Sequence, residues 1–169
     1  MVALGLTEFI RVVLLDNLRK MVYDANLHYL GFGTIAIGVE FIGACFDEHP
    51  FHQERLSRPR FDQGIQRLAR IDPRYQQYNQ PSSPYFLYKF LRCGMAHVMR
   101  PQGPVLFSSR EHWPECPSMH LSEVNYHLLL ICEDFYDHFA QSCEDLIREL
   151  PSMSAPKLAD PYIFVASLE

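Results

Sequence analysis

Arg92 and His97 stand five positions apart in Leu87-Tyr88-Lys89-Phe90-Leu91-Arg92-Cys93-Gly94-Met95-Ala96-His97-Val98. The pair joins an always-charged guanidinium to a ring that titrates near neutral pH. A guanidinium forks onto phosphate oxygens, and an imidazole takes or gives a proton. That chemistry suits a phosphate ester, with His97 as general base and Arg92 stabilising charge on the phosphate. Cys93 precedes His97 by four positions, a spacing that brings a thiol against an imidazole. A thiolate nucleophile needs that pairing and an orienting third group. No such group stands out, so packing is the plainer role for Cys93. The opposing account of the pair is structural: Arg92 bound to a carboxylate such as Asp134 or Glu40, and His97 a satisfied interior histidine.

Other constellations are weaker. His49-Pro50-Phe51-His52, and Cys116 with His120 and His127, contain metal-ligating side chains. They lack the tight paired spacing of structural zinc sites, so neither a metal nor a cofactor is expected. Gly31-Phe32-Gly33 is too short for a dinucleotide loop, and no Walker A sequence or Gly-x-Ser-x-Gly elbow occurs. Glu133, Asp134, Asp137, Glu144 and Asp145 read as the solvated face of a helix.

The elements that must position these groups are mostly helical. Apolar residues Phe9, Val12, Val13, Leu15, Leu18 and Val22 predict a helix over 5–24. A second helix is expected over 33–47, where Ala36, Gly38, Gly43 and Ala44 would let another helix approach closely. Residues 48–60 hold two Pro and read as loop, 61–70 as a short helix, and 75–84 as a second loop. The motif helix is expected over 84–99, with Leu87, Leu91, Met95 and Val98 inward, and Arg100-Pro101 ends it. Val105–Phe107 and Met119–Leu121 read as two short strands. Ser122 reads as the N-cap of a long helix over 122–150, and Tyr162–Val165 as a docked strand. The expected fold is mainly α: an antiparallel helical bundle with a small β-hairpin or irregular insertion after the motif helix.

Composition bounds the function. The 169 residues carry 48% hydrophobic and 21% charged side chains, ordinary globular values. A net charge of −5 argues against coating nucleic acid through a broad basic surface but leaves room for a small basic cleft. The five cysteines form no Cys-x-x-Cys pair and lie mostly among apolar residues, which predicts reduced, buried thiols and a cytoplasmic protein. The N-terminus has no basic n-region, and the apolar run over 30–46 contains Glu40 and four glycines. A buried helix, and no membrane association, is expected there. Residues 1–167 are read as one domain and 168–169 as the scar that precedes a purification tag.

The Arg-x4-His helix follows two long helices and precedes a long helix containing Glu133-Asp134-Phe135. This order resembles HEPN domains, the "higher eukaryotes and prokaryotes nucleotide-binding" helical bundles. The resemblance spans roughly residues 4–47, 84–100 and 120–150. It implies a metal-independent ribonuclease of a toxin–antitoxin or defence system. The motif's Arg and His, here Arg92 and His97, would act across a homodimer, with Asp134 near the motif helix and an antitoxin-type protein as partner. One departure is Cys93, where the family's ribonucleases usually carry a polar residue. Several members are non-catalytic binding modules, so a nucleotide- or protein-binding module is the alternative. Geometry also asks for a second copy. On an ideal helix positions 92 and 97 are about 140° apart, so one helix does not close a site around a shared phosphate. Gly94 would leave room for a crossing helix or a ligand.

Overall fold

Leu6, Ile10, Leu14, Leu18 and Val22 recur at every fourth position, and all five are buried. On a straight α-helix such a stripe would drift by about 40° at each step. In the computed structural model, which describes residues 2–112 and 119–164, wider i→i+5 turns over Ile10–Asn17 and Lys20–Asp24 hold the stripe on one face of helix α1, residues 6–24. Phe9, Val13 and Leu15, expected to lead the apolar face, pack only partly against the core.

Helix α2, His28–Cys45, begins five residues before the expected start. It is apolar around most of its surface, Glu40 being its one acidic residue, and supplies the centre of the core through Phe32, Ile35, Val39 and Ile42. By length and composition it could cross a membrane, but 56% of that window is buried inside the fold. Helix α3, Ser57–Leu68, starts inside the expected loop. Pro59 falls in its first turn, where a missing N–H leaves nothing unpaired, so this proline does not break the helix. α2 and α3 meet at backbone distance. A Cβ on Gly43 would lie 1.7 Å from the Arg60 carbonyl oxygen, and one on Gly64 would lie 1.9 Å from that of Val39. The close approach expected of Gly43 is therefore met by a second glycine on α3. A short helix α4, Arg74–Tyr78, occupies part of the expected second loop.

After the motif helix α5, residues 88–98, the largest departure from the sequence pattern appears. Residues 122–131 are not helical. They form strands β3, Ser122–Val124, and β4, His127–Ile131, joined by Asn125 and Tyr126 with φ of 49° and 63°. Two consecutive left-handed residues make the two-residue turn whose twist suits a hairpin. Val124, Leu128 and Ile131 satisfy a helical spacing by coincidence. The four-residue apolar run Leu128–Ile131, buried throughout, is the mark of an interior strand. β2, Val105–Ser108, pairs with β4 in parallel, so the sheet order is β2-β4-β3. Met119–Leu121, expected as a strand, is a turn with Leu121 at φ 59°. Helix α6, Cys132–Glu149, then packs Phe135, Phe139, Cys143 and Leu146 inward. Finally β5, Tyr162–Phe164, pairs antiparallel with β1, Val2–Leu4. Val165 and the 168–169 tail lie outside the described residues. The described chain is mainly helical, with one small three-stranded sheet.

Candidate functional site

α5 is built from two kinds of turn: i→i+5 turns over Tyr88–Cys93, then α-turns over Gly94–Val98. Leu87, Leu91 and Met95 go inward, whereas Val98 is exposed. Met99, in the left-handed conformation at φ 53°, ends the helix, and the chain folds back over it. A Cβ on Gly94 would lie 2.6 Å from the Arg100 carbonyl oxygen, and the Gln102 N–H donates to the Phe90 carbonyl at 2.8 Å. The space beside Gly94 is thus filled by the protein's own loop, not left open for a crossing helix or a ligand.

Arg92 faces α2. Its Nε donates to Glu40 Oε2 at 2.5 Å, and Ser57 Oγ donates to the same oxygen at 2.9 Å. The Tyr88 hydroxyl donates to Ser57 Oγ at 3.4 Å. Burial pushes the Tyr88 phenol up, Ser57 opposes the rise and Cys93 adds to it. Among the described residues, Glu40 Oε1 and the two terminal nitrogens of Arg92 make no hydrogen bond. Arg92 and Glu40 line a cavity of about 250 Å³ whose apolar wall includes Ile37, Phe41, Phe51 and Tyr162. The three rings contact one another pairwise, with centroids 5.6 Å apart for Phe41 and Phe51, 6.3 Å for Phe51 and Tyr162 and 6.2 Å for Phe41 and Tyr162. The Tyr162 hydroxyl is buried without a hydrogen-bond partner among the described residues.

His97 lies elsewhere. It is exposed, makes no hydrogen bond or ion pair among the described residues, and lines none of the described cavities. Within one copy the structure therefore does not bring Arg92 and His97 to a shared cleft. Cys93 is half-buried and makes no hydrogen bond with His97. Asp134 is not beside α5 but accepts from Arg110 Nε at 3.0 Å and Nη2 at 2.6 Å. The second branch of that network is Asp137, which accepts from Arg110 and from the Tyr23 hydroxyl. Of the two carboxylates weighed for Arg92, the structure selects Glu40. No group of three metal-ligating side chains occurs among the described residues. Cys116 lies outside them. Cys45, Cys93, Cys132 and Cys143 are free thiols, and burial pushes Cys45 and Cys132 each up to about 12.

Two polar networks had no sequence signal. The first is a closed knot. Asp47 accepts from Arg60 Nε at 2.6 Å and from Lys157 Nζ at 2.7 Å. Every remaining donor group of both cations goes to backbone carbonyls of residues 44–51 or back to Asp47. Burial alone would raise the Asp47 carboxyl, but Arg60, Lys157 and the His49 N–H bring it down to about 2. The partners are 110 and 13 positions from Asp47, beyond any local pattern. The second is a relay. The Ile131 N–H donates to His120 Nδ1 at 3.0 Å, so neutral His120 carries its proton on Nε2. Nε2–H donates to the buried Tyr75 hydroxyl at 2.8 Å, which in turn donates to His138 Nδ1 at 3.1 Å. Burial, with His138 and Arg74 adding to it, pushes His120 down to about 3.

Comparison with known proteins finds no family model that matches the chain, no matching curated protein and no matching solved structure.

Proposed function

We propose that the chain is a HEPN-like helical module that binds a nucleotide or single-stranded RNA in the cavity of Arg92 and Glu40. One observation carries this reading. Among the described residues Arg92 is tethered through Nε alone, which leaves its two terminal nitrogens to donate in a cavity walled by three rings. Aromatic rings stack nucleobases of any sequence, and a guanidinium fork supplies donors in a fixed plane. The buried free thiols fit a reducing compartment. The test is calorimetric titration of nucleoside monophosphates into the wild type and Arg92→Lys. Saturable binding that is lost in Arg92→Lys is the expected result. No heat with any nucleotide at millimolar concentration would refute it.

A second reading is favoured by a separate observation. His97 is exposed at the end of α5, next to the exposed Val98 and Met99, while Leu30 and Ile37 of α2, with Leu27 just before it, leave an apolar stripe uncovered. A second copy covering this face would bring another His97 and Arg92 into reach, giving a homodimeric, metal-independent endoribonuclease of the toxin–antitoxin kind. Here RNA cleavage in chelator would persist in the wild type and vanish in His97→Ala. Light scattering that gives a monomer at tens of micromolar would sink this reading.

A further inference from the structure

We propose that the outer face shared by α2 and α5 docks the protein on an anionic lipid surface. This occupant is independent of the nucleotide reading, and it rivals the second copy for the same side chains. Leu27, Leu30 and Ile37 on and just before α2, Val98 and Met99 at the end of α5, and Leu106 on β2 are between 41% and 60% exposed. Tyr29 ties the three elements into one surface. Its hydroxyl donates to the Met99 carbonyl at 2.7 Å, and its ring centroid lies 5.8 Å from that of Phe107 on β2. Among the described residues, the other large apolar side chain so exposed is Tyr126, at the hairpin tip. Apolar side chains gathered on adjoining elements mark an interaction surface, where single scattered ones do not.

Charge indicates the partner. Residues 73–110 contain five Lys or Arg and no Asp or Glu, in a chain whose net charge is −5. Residues 25–39 carry no carboxylate either. Arg74, Arg92 and Arg110 are paired with carboxylates, whereas the exposed Lys89 and Arg100 make no ion pair among the described residues. Of the carboxylates bordering the face, Asp24 pairs with Arg19 and Glu40 with Arg92, and Glu111 lies beyond the end of β2. The face therefore sets apolar tips beside free cations. Its tips are mostly aliphatic and offer nucleobases little ring to stack on. Leu27, Leu30, Val98, Met99 and Leu106 line none of the described cavities but project, whereas a partner helix seats in a groove. A second copy would bring no counter-charge to Lys89 and Arg100. A bilayer takes projecting aliphatic chains into its acyl boundary, and its anionic headgroups meet the cations. α2 stays in the core, with 56% of its apolar window buried, so the bilayer is touched and not spanned.

The experiment is co-sedimentation of the full-length chain with vesicles of phosphatidylcholine alone, or with about 30% phosphatidylserine, at about 0.1 M salt. The wild type is expected to bind the anionic vesicles at least about fivefold tighter than the neutral ones, and less tightly as salt rises. Leu30→Asp and Met99→Asp are each expected to lose at least about tenfold in vesicle affinity. Their melting temperatures should not fall, because both side chains are exposed. Arg100→Glu should abolish the preference for phosphatidylserine, and Tyr126→Asp, away from the face, should change nothing. A wild type that stays in the supernatant with both vesicles overturns the proposal. Loss of binding in Tyr126→Asp equal to that in Leu30→Asp does the same. So does a dimer, seen by light scattering, that Leu30→Asp and Met99→Asp convert to monomer, since the face then belongs to a second copy. Saturable binding of a Glu-rich amphipathic peptide, with none to vesicles, gives the face to a protein partner and also overturns it.

Discussion

Arg60 and Arg92 line the same cavity and each meets a carboxylate, yet they are in opposite conditions. Arg60 uses Nε, Nη1 and Nη2 on Asp47 and on the carbonyls of His49, Pro50 and Phe51. Among the described residues, Arg92 uses Nε alone. The first is a closed knot whose cations hold residues 44–51 and the segment around Lys157 together. The second leaves the terminal nitrogens of Arg92 and Glu40 Oε1 without a hydrogen bond among the described residues. The spent donors of Arg60 serve the fold, and the leftover donors of Arg92 are where the proposed ligand would be held.

Breaking the knot should have the largest effect. Asp47→Ala leaves Arg60 and Lys157, with side chains 6% and 5% exposed, without their counter-charge. Stability should fall by about 3–5 kcal/mol, read as a lower urea midpoint. Survival of the wild-type midpoint would show that the knot is dispensable.

Acid should then separate the closed networks from the open pair. Asp47 sits at about 2 in the folded protein against 3.8 unfolded, so its contribution is full above the unfolded value. It is lost as pH falls through about 2, and its size is about 2 kcal/mol. His120 is pushed down to about 3 from 6.5, so the unfolded chain binds the proton first. Stability should decline as pH falls from 6.5 toward 3. Urea unfolding at steps from pH 7 to pH 2.5 is the measurement. His120→Asn should flatten the upper part of the decline and Asp47→Asn the lower part.

Tyr75→Phe interrupts the relay by removing the hydroxyl between His120 and His138, and should cost about 1–3 kcal/mol. Arg92→Lys should cost about 1 kcal/mol or less, because its single bond to Glu40 is partly exposed and Ser57 still satisfies the carboxylate. Arg60→Lys, by contrast, strands several carbonyls and should exceed it. Equal costs for the two substitutions would erase the contrast between knot and site. The smallest effect belongs to Cys93→Ser, which should change neither stability nor ligand binding measurably.

The motif helix was legible in the sequence because apolar spacing and Arg100-Pro101 mark it locally. Gly43 announced a close helix crossing for the same kind of reason: a missing side chain on an apolar helix. The residues 122–131 misled because Val124, Leu128 and Ile131 fit a helix, while Asn125-Tyr126 gives no strong turn signal without a glycine. What sequence alone determined is what depends on neighbours within a few positions: helices, their apolar stripes and the chemistry each side chain could perform. Tertiary structure alone decided which partner each charge took. Arg92 met Glu40 across 52 positions, Asp134 met Arg110 instead, and Lys157 reached Asp47 across 110. Those pairings depend on how whole helices pack, since ion-pair strength is set by distance and burial and local periodicity carries neither.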